Sequence, residues 1–358
     1  WTPWRKTMTQ NYEPQLVTGP GSLQQLPLLL EGQKVLLVHG HRPVEDGLLQ
    51  KVRVLLEQHG IARENMGQIL PDPTFKSVKR GIRLCRKTGC TMVLSLGGGS
   101  TLQCARGIAL GVPYKGKIKD FWNGKKKPKK ALAVAAVLTD PATGDELSDS
   151  CTLVKKGKQK KFRSPMLTCR FAILDPEQSQ YPPYPTMNQG FVLVARLFAC
   201  ALEARDRQLP ACREIMDGLL ESIQGLETDI HNMEARTGLY KAGVQVHRLP
   251  VSDKSGLTTL AGDLAFACSL PLGTALSALF PAWWDVMMQK KPAQMQRISH
   301  ILLGCGAQQG RQRMLSLISE MNLAASLPEA GLELTARDIK GLTEDSMLRT
   351  VLQKAARD

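Results

Sequence analysis

The thirteen residues Leu94-Ser-Leu-Gly-Gly-Gly-Ser-Thr-Leu-Gln-Cys-Ala-Arg106 constrain the chain most: an apolar run enters three consecutive glycines and passes straight into a helical pattern. Glycines at the start of a helix let backbone N–H groups approach an anion closely, with the helix dipole behind them. A tight strand-to-helix turn makes the same demand. Alone, the segment leaves both a phosphate cradle and a plain turn open.

Its surroundings give the fold class. From about Gln33 to Asp175 short apolar runs alternate with helical patterns, as βα units with a parallel sheet do. Strands are expected at Val35–Val38, Thr91–Leu96, Leu132–Val137 and Phe171–Leu174, and helices at Gly47–His59 and Ser77–Thr88. Cys151–Ser164 alternates apolar and basic residues around Gly157, as a hairpin with a charged tip would. After Pro182-Pro183 the glycine punctuation thins and the helical period takes over. The expected helices are Phe191–Leu202, Arg213–Ile223, Leu257–Ala267, Pro292–Leu303 and Met314–Leu323. The fold class is therefore a doubly wound α/β domain over residues 8–180, followed by an all-α domain over residues 181–358. Residues 1–7 are read as a tag or upstream segment. Any nucleotide or small-molecule ligand is expected in the cleft between the domains.

Composition narrows the class further. Hydrophobic residues make up 43% and charged residues 22%, as in folded globular proteins. No window approaches the roughly 18 apolar residues needed to span a bilayer, and no leader-like run opens the chain, so a cytoplasmic protein with no membrane partner is expected. Nine cysteines without metal-type spacing read as reduced thiols. The formal charge of +15 concentrates at Lys115–Lys130 and Lys155–Lys161. It suits either a polyanionic partner or a solvated surface, with sequence-specific nucleic-acid binding not expected.

Four segments occur in one order: Gly19-Pro-Gly-Ser22, the glycine run, Leu138-Thr-Asp-Pro-Ala-Thr-Gly-Asp-Glu146, and Phe171-Ala-Ile-Leu-Asp-Pro176. Together they resemble the iron-containing alcohol dehydrogenases, relatives of glycerol dehydrogenase and dehydroquinate synthase, and most of all their NADPH-dependent aldehyde reductase branch. The resemblance implies a dinucleotide domain, a helical domain and a divalent metal held by an aspartate, a histidine four residues later and two further histidines. Such a metal polarises the substrate oxygen during hydride transfer.

Carried onto Asn188–Phe198, with Gly190 as the matching glycine, the aspartate position falls on Leu193 and the histidine on Leu197. The segments Thr259–Leu264 and Leu276–Pro281 place the other two ligands near Thr258 and Leu272. No histidine lies between His247 and His300, so a shifted register does not restore a ligand. Leucine offers a metal no lone pair, and the site is expected to be a dry, metal-free cavity refilled with hydrocarbon.

For the cofactor, the resemblance assigns Gly97, Gly98, Gly99 and Ser100 to the pyrophosphate, with Thr139 and Thr143 as nearby hydroxyls. The acid the family carries three residues after the serine is Gln103 here. Where the family chooses between NAD and NADP this chain reads Val38-His-Gly-His-Arg-Pro43. His39, His41 and Arg42 could pair with a 2′-phosphate, favouring NADP(H), or could form a polar turn. His247 is the one histidine considered as a cleft proton donor. Two functions follow: a degenerate member without metal-dependent redox chemistry, serving as a binding, regulatory or assembly partner, or an active metal-independent NADP(H)-dependent aldehyde or ketone reductase. A homodimer or another protein partner fits either.

Overall fold

The computed structural model describes residues 13–179, 181–249 and 253–357, so the segment 1–7 set aside above lies outside the described residues. The chain divides into two compact units, Trp1–Gln180 and Tyr181–Asp358.

The first unit runs β1 (Gln15–Thr18), α1 (Leu26–Leu29), β2 (Val35–His39), α2 (Arg42–Glu45), α3 (Leu48–Gln58), β3 (Arg63–Met66), α4 (Phe75–Thr88), β4 (Met92–Gly97) and α5 (Gly99–Gly111). It continues through α6 (Lys119–Trp122), β5 (Ala133–Leu138), β6 (Ser150–Lys155), β7 (Lys158–Arg163) and β8 (Phe171–Leu174). Six strands form one parallel sheet in the order β1-β8-β5-β4-β2-β3. Every residue of β2, β4 and β8 is buried, which is why these strands read as unbroken apolar runs rather than alternating ones. The chain passes from β2 outward to β3, then back across β2 to β4. That reversal makes a topological switch point between β2 and β4, where an open parallel sheet leaves a crevice at its carboxyl edge.

The expected hairpin forms outside the sheet, β6 pairing antiparallel with β7 and Lys155 opposite Lys158. Its two-residue tip, Lys156-Gly157, has φ of 52° and 69°, the backbone signs of a type I′ turn. At the far edge of the sheet the buried Asp175 carboxylate, just past β8, accepts the Leu23 N–H at 2.9 Å and the Glu177 N–H at 3.0 Å. The Gly19 N–H donates to Leu174 O at 3.2 Å, which ties together two of the four ordered motifs, Gly19–Ser22 and Phe171–Pro176.

The second unit is helical: α7 (Pro183–Leu202), α8 (Leu209–Thr228), α9 (Met233–Arg248), α10 (Leu257–Cys268), α11 (Leu272–Lys290), α12 (Pro292–Leu303), α13 (Ala307–Glu320), α14 (Ala336–Leu342) and α15 (Ser346–Ala355). The fold class is the one expected, a parallel-sheet unit followed by a helical one. Two details differ. The helix expected at Met314–Leu323 ends at Glu320 and begins at Ala307. The long α11 was not expected as a helix. It carries buried residues on all sides, including Trp283 and Trp284, so its apolar residues show no stripe. Phe280 of α11 sits 5.6 Å from Phe191 and 5.5 Å from Phe198, ring to ring, locking α11 to α7. Among the described residues no helix is long and apolar enough to cross a membrane.

Candidate functional site

The glycine run is the hinge between β4 and α5. Gly97 has φ +128°, a conformation that L side chains rarely adopt, and it turns the chain off the strand. Gly98 is the N-cap of α5, and no side chain caps the helix. The first amides of a helix have no partner within it, so those of the first turn after Gly98 are available to an anion. The structure gathers the other candidates here. Thr139 donates its backbone N–H to Gly97 O at 3.2 Å. A Cβ on Gly99 would lie 3.5 Å from Thr143 Cγ2, and one on Gly97 would lie 3.5 Å from Pro43 Cγ. Gly97–Ser100, Thr139, Thr143 and the Arg42-Pro43 turn thus surround the switch point.

The three basic candidates are placed differently from one another. His39 is buried, its Nδ1 is 2.9 Å from Gly40 O, and its ring fills the space beside Gly67. Burial, reinforced by Arg53 and only partly offset by Gly40, pushes the imidazole below its ordinary pKa. That favours its neutral form and leaves His41 and Arg42 as the accessible basic candidates for a 2′-phosphate. His41 is the N-cap of the short α2 and Arg42 is its first residue, with His41 Nε2 3.3 Å from Glu45 and Arg42 Nε 3.1 Å from Asp46. Both remain solvent-accessible.

Three acids beside the loop were not among the sequence candidates. Asp145 Oδ2 lies 2.7 Å from where a Cβ on Gly99 would be, so a side chain there would have to displace that carboxylate. The same oxygen accepts the Gln103 side-chain N–H at 2.9 Å, and Gln103 Oε1 accepts the Thr152 N–H at 2.8 Å. Asp140 stands over Gly98, its Cβ 3.6 Å from the Cβ position there. Burial pushes the Asp140 carboxyl up to about 6 and that of Glu146 to about 7, and raises Asp145 against the pull of Arg106 and Gln103. Below them Arg106, wholly buried, donates to the carbonyls of Leu167 (2.8 Å), Ser150 (3.1 Å), Ser148 (2.6 Å) and Asp145. It fixes the 145–150 loop. The signal for Arg106 was in the sequence: it is the one charged residue of the apolar α5. The backbone of this cradle fits a pyrophosphate, but ionised carboxylates on its rim oppose one.

In the second unit Leu193 and Leu197 lie one turn apart on α7, both with no exposed surface. Thr258 lies in the first turn of α10, and its N–H and hydroxyl both donate to Asp253 Oδ2 at 2.9 Å. Leu272 is the first residue of α11 and is 41% exposed. The start of α11 is held on α7 through Thr274, whose hydroxyl donates to Asn188 Oδ1 at 2.9 Å and lies 2.7 Å from Tyr184 Oη. The picture of a fully refilled cavity therefore needs correcting. Leu193 and Leu197 are packed hydrocarbon, Thr258 is engaged as a helix-start hydroxyl, and Leu272 keeps contact with solvent. None of the four offers the carboxylate or imidazole donors a divalent cation needs, so these residues do not fit the metal. Among the described residues no group of three His, Cys, Asp or Glu side chains could hold a metal ion. His247 lies in the last turn of α9.

Comparison with known proteins completes the picture. Residues 14–176 match the family described as iron-containing alcohol dehydrogenase. The chain is 27% identical over 300 residues to the probable NADH-dependent butanol dehydrogenase 1 of Bacillus subtilis, covering 79% of this chain and 77% of that one. To the NADPH-dependent aldehyde reductase YqhD of Escherichia coli it is 31% identical over 179 residues, 48% of this chain and 45% of the relative. The crystal structure of NADH-dependent butanol dehydrogenase A from Thermotoga maritima superposes with a TM-score of 0.87 at 20% identity, covering 98% of this chain and 99% of that one.

Proposed function

We propose that the chain is a member of the iron-containing alcohol dehydrogenase family without the metal-dependent redox step, retained as a dinucleotide-binding, regulatory or assembly component. The observation that carries this reading is the Leu193–Leu197 pair, two fully buried hydrocarbon side chains one turn apart on α7 where the family resemblance puts metal ligands. Restoring a donor there would require burying a polar or charged group in packed hydrocarbon, which costs several kcal/mol unless it is paired. The cradle at Gly97–Ser100 keeps its open helix N-terminus, supporting continued binding of a dinucleotide through its phosphates. The solvent-accessible Arg42 on α2 supports NADP(H) over NAD(H), since a guanidinium pairs with a 2′-phosphate through charge-assisted hydrogen bonds.

A second reading, a metal-independent NADP(H)-dependent aldehyde or ketone reductase, is favoured by one feature. Asp140, with its carboxyl near 6, stands at the glycine loop where a group able to exchange a proton near neutrality would serve a reduction. NADPH oxidation with a panel of short aldehydes, in the presence of a chelator, separates the two. No turnover together with nucleotide-dependent stabilisation supports the first reading. Chelator-resistant turnover that is lost in Asp140→Asn supports the second.

A further inference from the structure

The positive charge of this chain has an address. The segments 75–88, 115–130 and 155–163 hold twenty of the forty-seven Lys and Arg residues but one of the thirty-two Asp and Glu, Asp120. Elsewhere acids outnumber bases, so the whole net charge of +15 resides in these three stretches. They are far apart in sequence, and the fold of the first unit brings them onto one face.

The joint is aromatic. Trp122 of α6 packs edge-on against Phe75 at the start of α4, with ring centroids 5.3 Å apart, and against Phe162 of β7 at 5.2 Å. Its indole N–H donates to Lys160 O at 3.0 Å, and Val154 N–H of the hairpin donates to Pro73 O at 2.9 Å. At the other end of α4, Arg86 donates to the carbonyls of Val112 (2.9 Å), Gly111 (2.8 Å) and Tyr114 (2.6 Å), holding the entry to the second basic stretch. Between α4 and residues 111–118 runs a groove of about 400 Å³ lined by Lys76, Lys79, Arg83, Arg86 and Lys117. The exposed cations of α4 recur each turn from Lys76 to Arg86, a stripe about 15 Å long. Among the described residues, Arg163 alone of the twenty forms a salt bridge, to Asp149 at 2.9 Å.

We propose that this face of α4, α6 and the β6–β7 hairpin docks the phosphate backbone of duplex nucleic acid without reading its sequence. The scarcity of competing carboxylates, Asp120 within the three segments and Asp149 beside Arg163, leaves most of the charge to an outside polyanion, and a duplex presents phosphates at a higher density than a single strand. Single-strand binders offer exposed rings on which bases stack, whereas Phe75, Trp122 and Phe162 are half-buried against one another. A membrane-docking face would add large apolar side chains for insertion, and the exposed ones among the described residues, such as Leu28, Leu70 and Leu272, fall outside all three segments.

The test is fluorescence anisotropy of the full chain with labelled 30-base-pair duplexes of two unrelated sequences, the matching single strands, and a flotation arm with phosphatidylserine vesicles. Both duplexes should bind equally at 50 mM salt and weaken by at least a hundredfold by 200 mM. Charge reversal of the hairpin, Lys155→Glu with Lys158→Glu, and of the helix, Lys76→Glu with Lys79→Glu, should each weaken binding at least tenfold and flatten the salt dependence. The control Lys254→Glu with Lys290→Glu, exposed in the other unit, should leave it unchanged. The proposal is overturned by no duplex binding at 50 mM salt, by a preference for one sequence, by tighter binding to single strands or vesicles, or by equal loss in the control.

Discussion

Gln103 and Asp145, 42 residues apart, are joined by a 2.9 Å hydrogen bond directly beside Gly99, at the opening of the helix that would receive a nucleotide's phosphates. The pair sets an anion of the protein's own at that opening. Together with Asp140 it would make any affinity of the cradle for phosphate depend on whether these carboxyls are ionised.

Nucleotide affinity should therefore rise on acidification. Asp140, with its carboxyl pushed up to about 6, and Asp145, also raised, lose their charge as pH falls from 8 to 5, removing repulsion from the rim. NAD⁺, whose pyrophosphate keeps its charge over that range, isolates the protein's contribution. Its Kd by calorimetry should fall about tenfold or more between pH 8 and 5, and Asp140→Asn should bind at pH 8 with much of that gain. A pH-independent Kd would show that these carboxylates do not face the ligand.

Stability should move the same way. Groups whose pKa is raised by folding stabilise the fold fully below their ordinary pKa, and the contribution is lost as pH climbs through the raised value. For Asp140 and Glu146, at about 6 and about 7 against ordinary values of 3.8 and 4.5, that loss falls between roughly pH 4 and 7. Thermal unfolding should show a declining Tm over this window. Asp140→Asn with Glu146→Gln should flatten the decline, and an unaltered slope would contradict the burial of these carboxyls.

The choice of nucleotide rests on Arg42. At equal concentration NADP(H) should stabilise the protein more than NAD(H), its own contribution reaching about 2.7 kcal/mol at a hundredfold excess over its Kd. Arg42→Ala should remove the difference while leaving NAD(H) binding intact. Equal shifts in the parent would take Arg42 out of the site.

Much of this was readable from the chain, because the informative signals were local. Phe171–Leu174 and Pro292–Leu303 emerge with the boundaries their apolar runs and flanking residues imply, and the turn at Lys156-Gly157 follows from one glycine between alternating residues. What could not be read needed three dimensions. β3, Arg63-Glu-Asn-Met66, is too polar to announce a strand and exists because β2 lends it a ladder. α11 is apolar on every side and so has no period. The burial of His39 against Gly67, the Gln103–Asp145 bond and the exposure of Leu272 all depend on residues brought together from distant parts of the sequence or on the packing around them.

The leucine pair allows a constructive experiment. Leu193→Asp with Leu197→His should set two ligands on one face of α7, and Thr258→His with Leu272→His should supply two more candidates. Without metal the fourfold variant should unfold at lower temperature than the parent, since polar groups replace packed hydrocarbon at a cost of several kcal/mol. Zinc should recover part of that loss in the variant and none in the parent. A double variant as stable as the parent would place Leu193 and Leu197 on a surface.

Metal content tests the central claim most directly. The wild-type protein, incubated anaerobically with excess Fe²⁺ or with Zn²⁺ and then desalted, should carry far less than one equivalent of either by mass spectrometry. Its Tm should be unchanged by chelator. About one equivalent of tightly held zinc or iron, with a Tm that drops when it is stripped, would mean that this chain holds the family's metal by residues other than Leu193, Leu197, Thr258 and Leu272, and the account of a lost redox centre would fall.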